Sequence, residues 1–294
     1  MIKKTSLGVA FGGGGARGAA HIGALQEMTL AGIEIDMVAG VSAGSVIAAM
    51  YAFSKDPFWI ESRFRKLWSN DSYRKPYKVF FTDKNPKSFI DSIKKLFVDH
   101  SLAVLSLHKN SIINKNQLEV AIKTLVPINN FHELKIPLKI VATNLENGED
   151  IIYEDGDLIE ALVQSCSIPG IFSPTIIGDK IISDGGVGMP VPISILKEEC
   201  DFTIVIDIGQ YKLNSLDYTN AKSISKRANI ITSNRLKSLL SLEADFVIKP
   251  DTLGKEWSDF DACEDLFNQG KISTKNIIHE LKKGIDFKNK TLAR

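Results

Sequence analysis

The sequence predicts an α/β protein built around a mainly parallel sheet, and three features support this prediction. An apolar run over residues 5–11 leads through a glycine-rich loop to a stretch with helical spacing that ends near residue 30. A second apolar run, over residues 35–41, turns at once into a helical stretch over 43–53. Successive strand-loop-helix units indicate parallel strands with helices on the faces of the sheet. Later apolar runs extend this pattern, at residues 138–143, 151–153, 180–183, 202–208 and 246–248.

A mainly helical insert is predicted at approximately residues 57–126. Three positions there offer a side-chain capping acceptor at a helix start, and two of them precede a proline, which the first helical turn tolerates. These positions are Asp56-Pro57, Asn85-Pro86 and Asn114. No repeat, low-complexity tract or convincing linker divides the chain, so we expect a single domain over residues 1–294.

The composition excludes several classes of function. The chain has 36 basic and 35 acidic side chains, so it lacks the basic surplus that nucleic-acid binding needs. Its 3 cysteines are scattered, which argues against a disulfide framework and against metal-ligand spacing. No apolar run approaches the ~20 residues that span a bilayer. The first residues resemble a signal peptide, but four glycines and Arg17 interrupt their apolar stretch. We therefore expect a cytoplasmic protein, and if it meets lipid, we expect the contact to be made from the surface of the membrane.

A GxSxG motif runs from Gly40 to Gly44, with Ser42 at its centre. It lies where a predicted strand ends and a helix begins, which is where a nucleophile elbow holds a serine on a strained turn. Small neighbours let the chain pass without a Cβ clash. The same pattern also arises by chance in glycine-rich turns, and the strand-turn-helix position favours the catalytic interpretation.

The glycine-rich loop at residues 12–18 has two interpretations. A GxGxxG pattern runs from Gly13 to Gly18, and Glu34 and Asp36 lie near the distance at which a dinucleotide site places its ribose-binding acid. Alternatively, consecutive backbone N–H groups beside a helix N-terminus can converge on an oxyanion. The nucleophile elbow at the end of the next strand favours the oxyanion hole, because a dinucleotide site gives no reason for it.

Arg17 lies in the same loop and also has two interpretations. Its guanidinium could steady the loop or bind an anionic headgroup. The alternative is an ordinary surface arginine, although the helix dipole disfavours a cation near a helix start.

The base that would serve Ser42 is predicted to be a carboxylate. Among the five histidines only His279 lies late enough for the usual Ser-Asp-His order, and it falls in a helix-like stretch typical of a solvated residue. His21 is near the glycine loop, where packing is the simpler role. Asp184 follows a short apolar strand and is itself followed by Gly185 and Gly186. Asp-Gly-Gly alone is usually a turn, so its meaning depends on the other motifs.

Taken together, the motifs resemble those of the patatin-like phospholipases, specifically their short bacterial members. GGGxRG at residues 13–18, GxSxG at 40–44 and DGG at 184–186 follow one another in the order found in that family. The similarity covers most of the chain except the insert and continues in four further segments, at residues 137–143, 165–174, 187–192 and 244–250.

The resemblance implies a three-layer α/β/α fold and hydrolysis of lipid acyl esters by a Ser-Asp dyad, with no histidine, metal or cofactor. The matching site residues are Ser42 as nucleophile and Asp184 as base, with Gly13, Gly14, Gly15 and Arg17 in the oxyanion hole. The glycines that support the motifs are Gly18, Gly40, Gly44, Gly185 and Gly186. The chain departs from the family at Asn144, where Asp is common, and at Met189, where Asn is common.

The start of the insert favours two interpretations. Residues 55–97 hold eleven Lys or Arg, five Asp or Glu and ten aromatic residues. Rings surrounded by cations suit a surface that rests on anionic lipid headgroups. The same residues fit an amphipathic helix that packs on the core, with the basic side chains in solvent.

Three functions remain open from the sequence. The leading hypothesis is a hydrolase of phospholipid or lysophospholipid esters. A second keeps the dyad and changes the substrate to a thioester or a soluble carboxyl ester. A third is a regulatory protein with a vestigial site, against which the intact dyad and glycine loop argue.

Overall fold

The computed structural model describes residues 5–69, 115–216 and 220–292 and shows a sheet covered by helices on both faces. The strands are β1 Leu7–Phe11, β2 Met37–Val41, β3 Leu138–Asn144, β4 Asp150–Tyr153, β5 Thr175–Ile177, β6 Lys180–Asp184, β7 Phe202–Ile206 and β8 Phe246–Ile248. The described α-helices are α1 Ala19–Leu30, α2 Ala43–Ser54, α3 Pro57–Ser69, α4 Lys115–Leu125, α5 Leu158–Ser165, α6 Ser194–Lys197, α7 Ala221–Ser241 and α8 Cys263–Leu292.

The centre of the sheet is parallel, and one side of it is antiparallel. The strand order is β5-β6-β3-β2-β1-β7-β8, and β4 pairs with β3 off this path. The neighbours from β3 to β8 along this order pair in parallel, whereas β4 and β6 pair with β3, and β5 with β6, in antiparallel fashion. The predicted α/β class with a mainly parallel sheet is therefore confirmed.

Strand β3 brings two distant parts of the chain to the same point of the sheet. Val141 pairs with Val41, the last residue of β2, and the next residue, Ala142, pairs with Asp184, the last residue of β6. Val141 and Ala142 also pair with β4, which occupies the opposite side of β3. Strands β2 and β6 therefore lie on the same side of β3, one after the other along its length, and their last residues meet there.

The two faces of the sheet bury separate apolar clusters, because successive side chains of a strand point to opposite faces. The larger cluster includes Val9 and Phe11 of β1 and packs under α1, α2, α5 and α8. The smaller includes Ala10 of β1 and packs under residues 189–196, which contain the start of α6, and under Leu240 of α7. Helix, sheet and helix form the three layers that the resemblance implied.

The strands predicted from apolar runs are confirmed, with bounds that shift by two residues or fewer at each end. Strand β5, Thr175–Ile177, has no counterpart in the prediction. It has three residues, and Ile176 and Ile177 are exposed at the sheet edge, so it shows neither a buried run nor an alternating pattern.

The insert is helical at both ends, where α3 and α4 lie, and residues 70–114, which hold most of its aromatic and basic side chains, fall outside the described residues. In α3, Ile60 is fully buried and Trp59 and Phe64 pack against the core, whereas Phe58 is 46% exposed. None of the described helices combines the length and apolar character needed to cross a membrane. The single domain over residues 1–294 stays a prediction.

Candidate active site

Ser42 is held in a strained conformation between β2 and α2. Its backbone has φ 54° and ψ −133°, a combination that is rare for a residue with a side chain and typical of a nucleophile elbow. The glycines of the motif make room for this turn. A Cβ on Gly40 would lie 2.5 Å from the Ser45 Cα, and one on Gly44 would lie 2.3 Å from the Phe11 carbonyl oxygen. Both distances are too short for any other residue, so the motif is required by close packing.

The backbone of Ser42 is fixed by hydrogen bonds on both sides. Its N–H donates to Ser165 Oγ at 2.9 Å, and its carbonyl oxygen accepts from Ser45 Oγ at 2.6 Å. The residue is buried, and neither bond uses its own hydroxyl. The hydroxyl group is therefore left available for chemistry while the backbone is held.

Asp184 lies beside Ser42 because of the register of β3. Ser42 follows Val41, and Asp184 pairs with the β3 residue immediately after the partner of Val41. The Asp184 backbone N–H donates to the Ser167 carbonyl at 3.0 Å, and Gly185 fits closely, since a Cβ there would lie 2.2 Å from the Val141 carbonyl oxygen. The two residues of the proposed dyad thus come together although 142 positions separate them in the sequence.

The Asp184 carboxyl is buried, with 5% of the residue exposed. Its Oδ1 accepts the Gly186 N–H at 2.7 Å, and its Oδ2 has no hydrogen-bond partner of good geometry within the described residues. Burial raises the pKa of Asp184 to about 6. Three effects oppose that rise: a hydrogen bond from the Ser42 hydroxyl, a hydrogen bond from the Gly186 N–H, and the positive charge of Lys237. A buried carboxylate oxygen that lacks a partner beside a serine hydroxyl is suited to accept a proton.

The glycine loop lies next to Ser42 and presents two N–H groups. A Cβ on Gly13 would lie 3.3 Å from the Ser42 Cβ. The Gly13 N–H already donates to the Pro190 carbonyl at 3.1 Å, which removes it from the predicted trio of donors. In the described part of the chain, the N–H groups of Gly14 and Gly15 have no acceptor. Gly15 also needs its φ of +57°, and a Cβ there would lie 2.3 Å from the Trp257 carbonyl oxygen.

Arg17 is a buried residue of the loop, with 8% of it exposed, so the surface interpretation is wrong. Its Nε donates to the Ile208 carbonyl at 2.9 Å and its Nη1 to the Lys255 carbonyl at 3.2 Å. Burial lowers its pKa to about 10, which leaves the group charged. These contacts agree with the interpretation that Arg17 steadies the loop. Gly18 lies close to α2, since a Cβ there would be 3.3 Å from the Ala43 Cβ.

His21 and His279 take the structural roles expected of them. His21 is fully buried, and its Nε2 donates to the Gly12 carbonyl at 2.8 Å. Burial lowers the pKa of His21 to about 4, so the ring is neutral. His279 is exposed on α8. Neither is a second base beside Ser42.

Asn144, one of the two departures from the family pattern, is buried at the end of β3. Its Oδ1 accepts the N–H groups of Glu146 at 3.2 Å and Ile181 at 3.3 Å. The side chain therefore closes the turn after β3 and joins it to β6, which is a structural role.

Lys237 is a component of the site that the sequence interpretation missed. It lies on α7 with 3% of the residue exposed, and its Nζ donates to the Gly13 carbonyl at 2.5 Å. The only sequence signal is its place in the apolar run LKSLL at residues 236–240, where a lysine on a solvated face would look the same. Among the described residues, no group of His, Cys, Asp and Glu is arranged to hold a metal ion.

Comparison with known proteins identifies relatives of this chain. The family model described as patatin-like phospholipase matches residues 9–197. An uncharacterized NTE family protein from Mycobacterium tuberculosis is 27% identical over 207 residues, which cover 69% of this chain and 49% of that protein. A putative patatin-like phospholipase domain-containing protein from Caenorhabditis elegans is 26% identical over 226 residues, which cover 76% and 18%. The chain thus spans about half or less of the length of these relatives.

Two solved structures show a distant likeness to this chain. Human GIVD cytosolic phospholipase A2, in complex with methyl gamma-linolenyl fluorophosphonate, superposes with a TM-score of 0.46 at 9% identity and covers 98% of this chain and 59% of that chain. The ExoU-SpcU complex from Pseudomonas aeruginosa gives a TM-score of 0.43 at 17% identity, with 96% and 52% covered.

Proposed function

Because the chain belongs to the patatin-like phospholipase family, we propose that it is a serine acyl hydrolase that cleaves carboxyl esters of lipids with Ser42 as nucleophile and Asp184 as base. The family match supports a lipid hydrolase, and phospholipid or lysophospholipid is the substrate class that follows from it. The observation that supports the dyad best is the register of β3, which sets Asp184 beside the residue that precedes Ser42.

In the acylation step, Asp184 Oδ2 accepts the proton of the Ser42 hydroxyl as Oγ attacks the carbonyl carbon of the ester. The electron pair of the carbonyl double bond moves onto its oxygen, which becomes the oxyanion. When that pair returns, the bond to the alcohol oxygen breaks, and the protonated Asp184 gives its proton to the leaving alcohol. The raised pKa of Asp184 suits both roles, because it makes the carboxylate a stronger base and the carboxylic acid a ready donor at neutral pH.

The oxyanion is stabilised by the N–H groups of Gly14 and Gly15, which lack other acceptors among the described residues. Such donors are already in place before the reaction, so they need no reorganisation as the charge forms. One donor of this kind typically contributes about 3 kcal/mol to the transition state. A carboxylate is a weak base for a serine, so we expect these N–H groups to supply a large share of the rate enhancement.

In the deacylation step, water takes the place of the departed alcohol. Asp184 accepts a proton from the water as its oxygen attacks the acyl carbon, and the same oxyanion position is used again. The tetrahedral intermediate then releases Ser42 Oγ, which recovers the proton from Asp184, and the free carboxylic acid leaves. One carboxylate thus serves both half-reactions.

A fluorophosphonate probe tests the nucleophile, because it phosphonylates an activated serine. We expect a single label at Ser42, no label in Ser42→Ala, and normal labelling in Ser54→Ala, where the lost hydroxyl lies at the far end of α2. Hydrolysis of acyl esters of increasing chain length, and of phospholipid and lysophospholipid, tests the substrate class. A label at another residue would contradict the assignment of Ser42, and preference for thioesters or short soluble esters would favour the second hypothesis.

Peripheral contact with a membrane through the insert at residues 57–126 forms part of this proposal. Phe58 on α3 supports this contact, because its large apolar ring is 46% exposed. Co-sedimentation with vesicles of anionic phospholipid tests it, with neutral vesicles as the control. Absence of binding at both low and high salt would limit the insert to packing on the core.

A further inference from the structure

Lys237 joins the glycine loop to α7 through one backbone carbonyl, that of Gly13. We propose that Lys237 is a positioning residue that aims the Gly14 N–H at the oxyanion and strengthens it as a donor. The inference rests on the proposed function, since it assigns a task within the same site. Lys237 lies about fifty positions beyond the last of the three motifs, so the geometry of the loop depends on α7.

The effect of Lys237 on the loop is transmitted through a single peptide unit. The Gly13 C=O and the Gly14 N–H belong to the same peptide, and in a planar trans peptide they point in opposite directions. The described part of the chain contains no cis peptide bond. When the Lys237 ammonium holds the Gly13 oxygen at 2.5 Å, it therefore turns the Gly14 N–H the opposite way.

The preceding peptide is fixed as well. The Gly13 N–H donates to the Pro190 carbonyl at 3.1 Å, so both polar groups of Gly13 have partners. Glycine has wide conformational freedom, and a run of four glycines would otherwise sample many orientations. Two hydrogen bonds from different parts of the fold thus select one orientation for the loop, next to Ser42.

The charge of Lys237 adds to its geometric effect. A cation at the carbonyl oxygen polarises the peptide and makes the N–H at its other end a better donor, because hydrogen bonds in series strengthen one another. The ammonium also lies close enough to Asp184 and Arg17 for each to influence its charge. A cation in this position favours the negative charge that develops on the oxyanion.

Burial of an ammonium is unfavourable, which explains why the group is sensitive to its surroundings. Burial and the like charge of Arg17 lower the pKa of Lys237 to about 8, while Asp207 and Asp184 oppose the fall. His21, which also faces this region from α1, is neutral in the same range. Tyr211, whose hydroxyl contacts Asp207 and Ser238, has a raised pKa because it is buried, so it keeps its proton in this range. Lys237 is therefore the group here whose pKa lies near 8.

Two variants of Lys237 and one matched control separate this role from simple stabilisation. Lys237→Met removes donor and charge, and Lys237→Arg keeps both and does not titrate near pH 8. Arg235→Met removes an exposed cation from the same helix. For each protein, kcat and KM on an acyl ester, the rate of fluorophosphonate labelling and the melting temperature are measured, with the rates taken below the melting transition.

We expect Lys237→Met to lower kcat about 100-fold and to leave KM within about twofold, because the lost interaction acts on the transition state. Labelling should slow in parallel, Lys237→Arg should recover part of kcat, and Arg235→Met should match the wild type. The proposal would be overturned if folded Lys237→Met had a kcat within about twofold of the wild type. It would also be overturned if the substitution changed KM alone.

The wild-type enzyme supplies a second test that does not depend on the folding of a variant. We expect its kcat to fall as pH rises above about 8, where Lys237 loses its proton, and a kcat that stays constant to about pH 10 would overturn the role of the charge. Failure of the proposed function looks different. In that case the wild-type protein itself would carry no label at Ser42 and would hydrolyse no ester.

Discussion

The two halves of the candidate site are built in different ways. The nucleophile elbow is a local structure: Ser42, its strained backbone angles and the two glycines that make room for it belong to one strand-turn-helix unit of consecutive residues. The base and the oxyanion donors are held by residues from other parts of the chain. Pro190, Trp257 and Lys237 hold the glycine loop, and β3 sets the place of Asp184.

This difference has a consequence for how each half tolerates change. The elbow is shaped mainly by the five residues of its own motif, so we expect it to tolerate the loss of one distant contact, such as the hydrogen bond to Ser165. A loop of glycines has little conformational preference of its own, so it depends on each contact that pins it. We therefore expect the largest losses of activity on the side of the base and the oxyanion, and the smallest from the contacts that support the elbow.

Asp184→Asn should have the largest effect on activity. An amide cannot take the Ser42 proton, so we expect kcat to fall at least about 10³-fold, within the range attributed to general bases. Circular dichroism should report an unchanged fold, and Ser183→Ala serves as the control, since its buried hydroxyl bonds the Ser167 carbonyl and takes no part in the reaction. Substantial hydrolysis of a simple ester by Asp184→Asn would contradict the dyad.

The same variant should be more stable than the wild type above about pH 6. Burial raises the folded-state pKa of Asp184 to about 6, so the folded protein holds this proton more tightly than the unfolded chain does. Ionised Asp184 therefore destabilises the fold, and the penalty grows as pH rises from about 4 to 6. We expect Asp184→Asn to gain about 1 to 3 kcal/mol in free energy of unfolding at pH 8 and nothing at pH 4. Equal stability of the two proteins at pH 8 would argue that the carboxylate is well solvated.

Gly15→Ala tests the oxyanion half of the comparison. A Cβ at this position would meet the Trp257 carbonyl oxygen at 2.3 Å, and the φ of +57° disfavours any side chain, so the loop must move. Displacement of a donor should lower kcat about 10²- to 10³-fold. The matched control is Gly178→Ala, where φ is +60° but nothing lies within 4 Å of the added Cβ. We expect the control to lose some stability and to keep its kcat, and equal kcat values for the two variants would contradict the role of the loop.

The part of the site that sequence alone predicts follows the same division. Ser42 and its glycines are predictable because the residues of the GxSxG motif lie within five consecutive positions, and Asp184 is identified by the DGG motif once the family resemblance is seen. The commitment of the Gly13 N–H to Pro190 depends on how two distant loops meet, which no local pattern encodes. Lys237 is indistinguishable in sequence from the solvated cations of α7, and only the fold shows that it is buried. The interpretation of Arg17 had to remain open for the same reason.

The acid side of the pH profile tests the environment of Asp184. The base must be ionised to act, and its pKa of about 6 predicts that kcat/KM falls about tenfold for each pH unit below 6. A carboxylate in ordinary surroundings would keep the enzyme active to about pH 4. The measurement uses an ester without a titratable group, together with circular dichroism at each pH to exclude unfolding. Full activity at pH 4.5 would show that the acid is not desolvated in the enzyme that reacts with substrate.

Ser165→Ala should have the smallest effect on activity, and it tests the elbow half. The variant removes the acceptor of the Ser42 N–H and leaves that buried donor without a partner, which should reduce the free energy of unfolding by about 1 to 3 kcal/mol. Ser167→Ala is the control, because the Ser167 hydroxyl donates to the Val163 carbonyl of α5 and does not contact Ser42. Since the elbow is held by Gly40, Gly44 and the Ser45 hydroxyl as well, we expect kcat to fall less than about tenfold. A loss as large as that of Gly15→Ala would mean that the nucleophile, too, is positioned by distant contacts, and the distinction between a local and a distributed half of the site would be wrong.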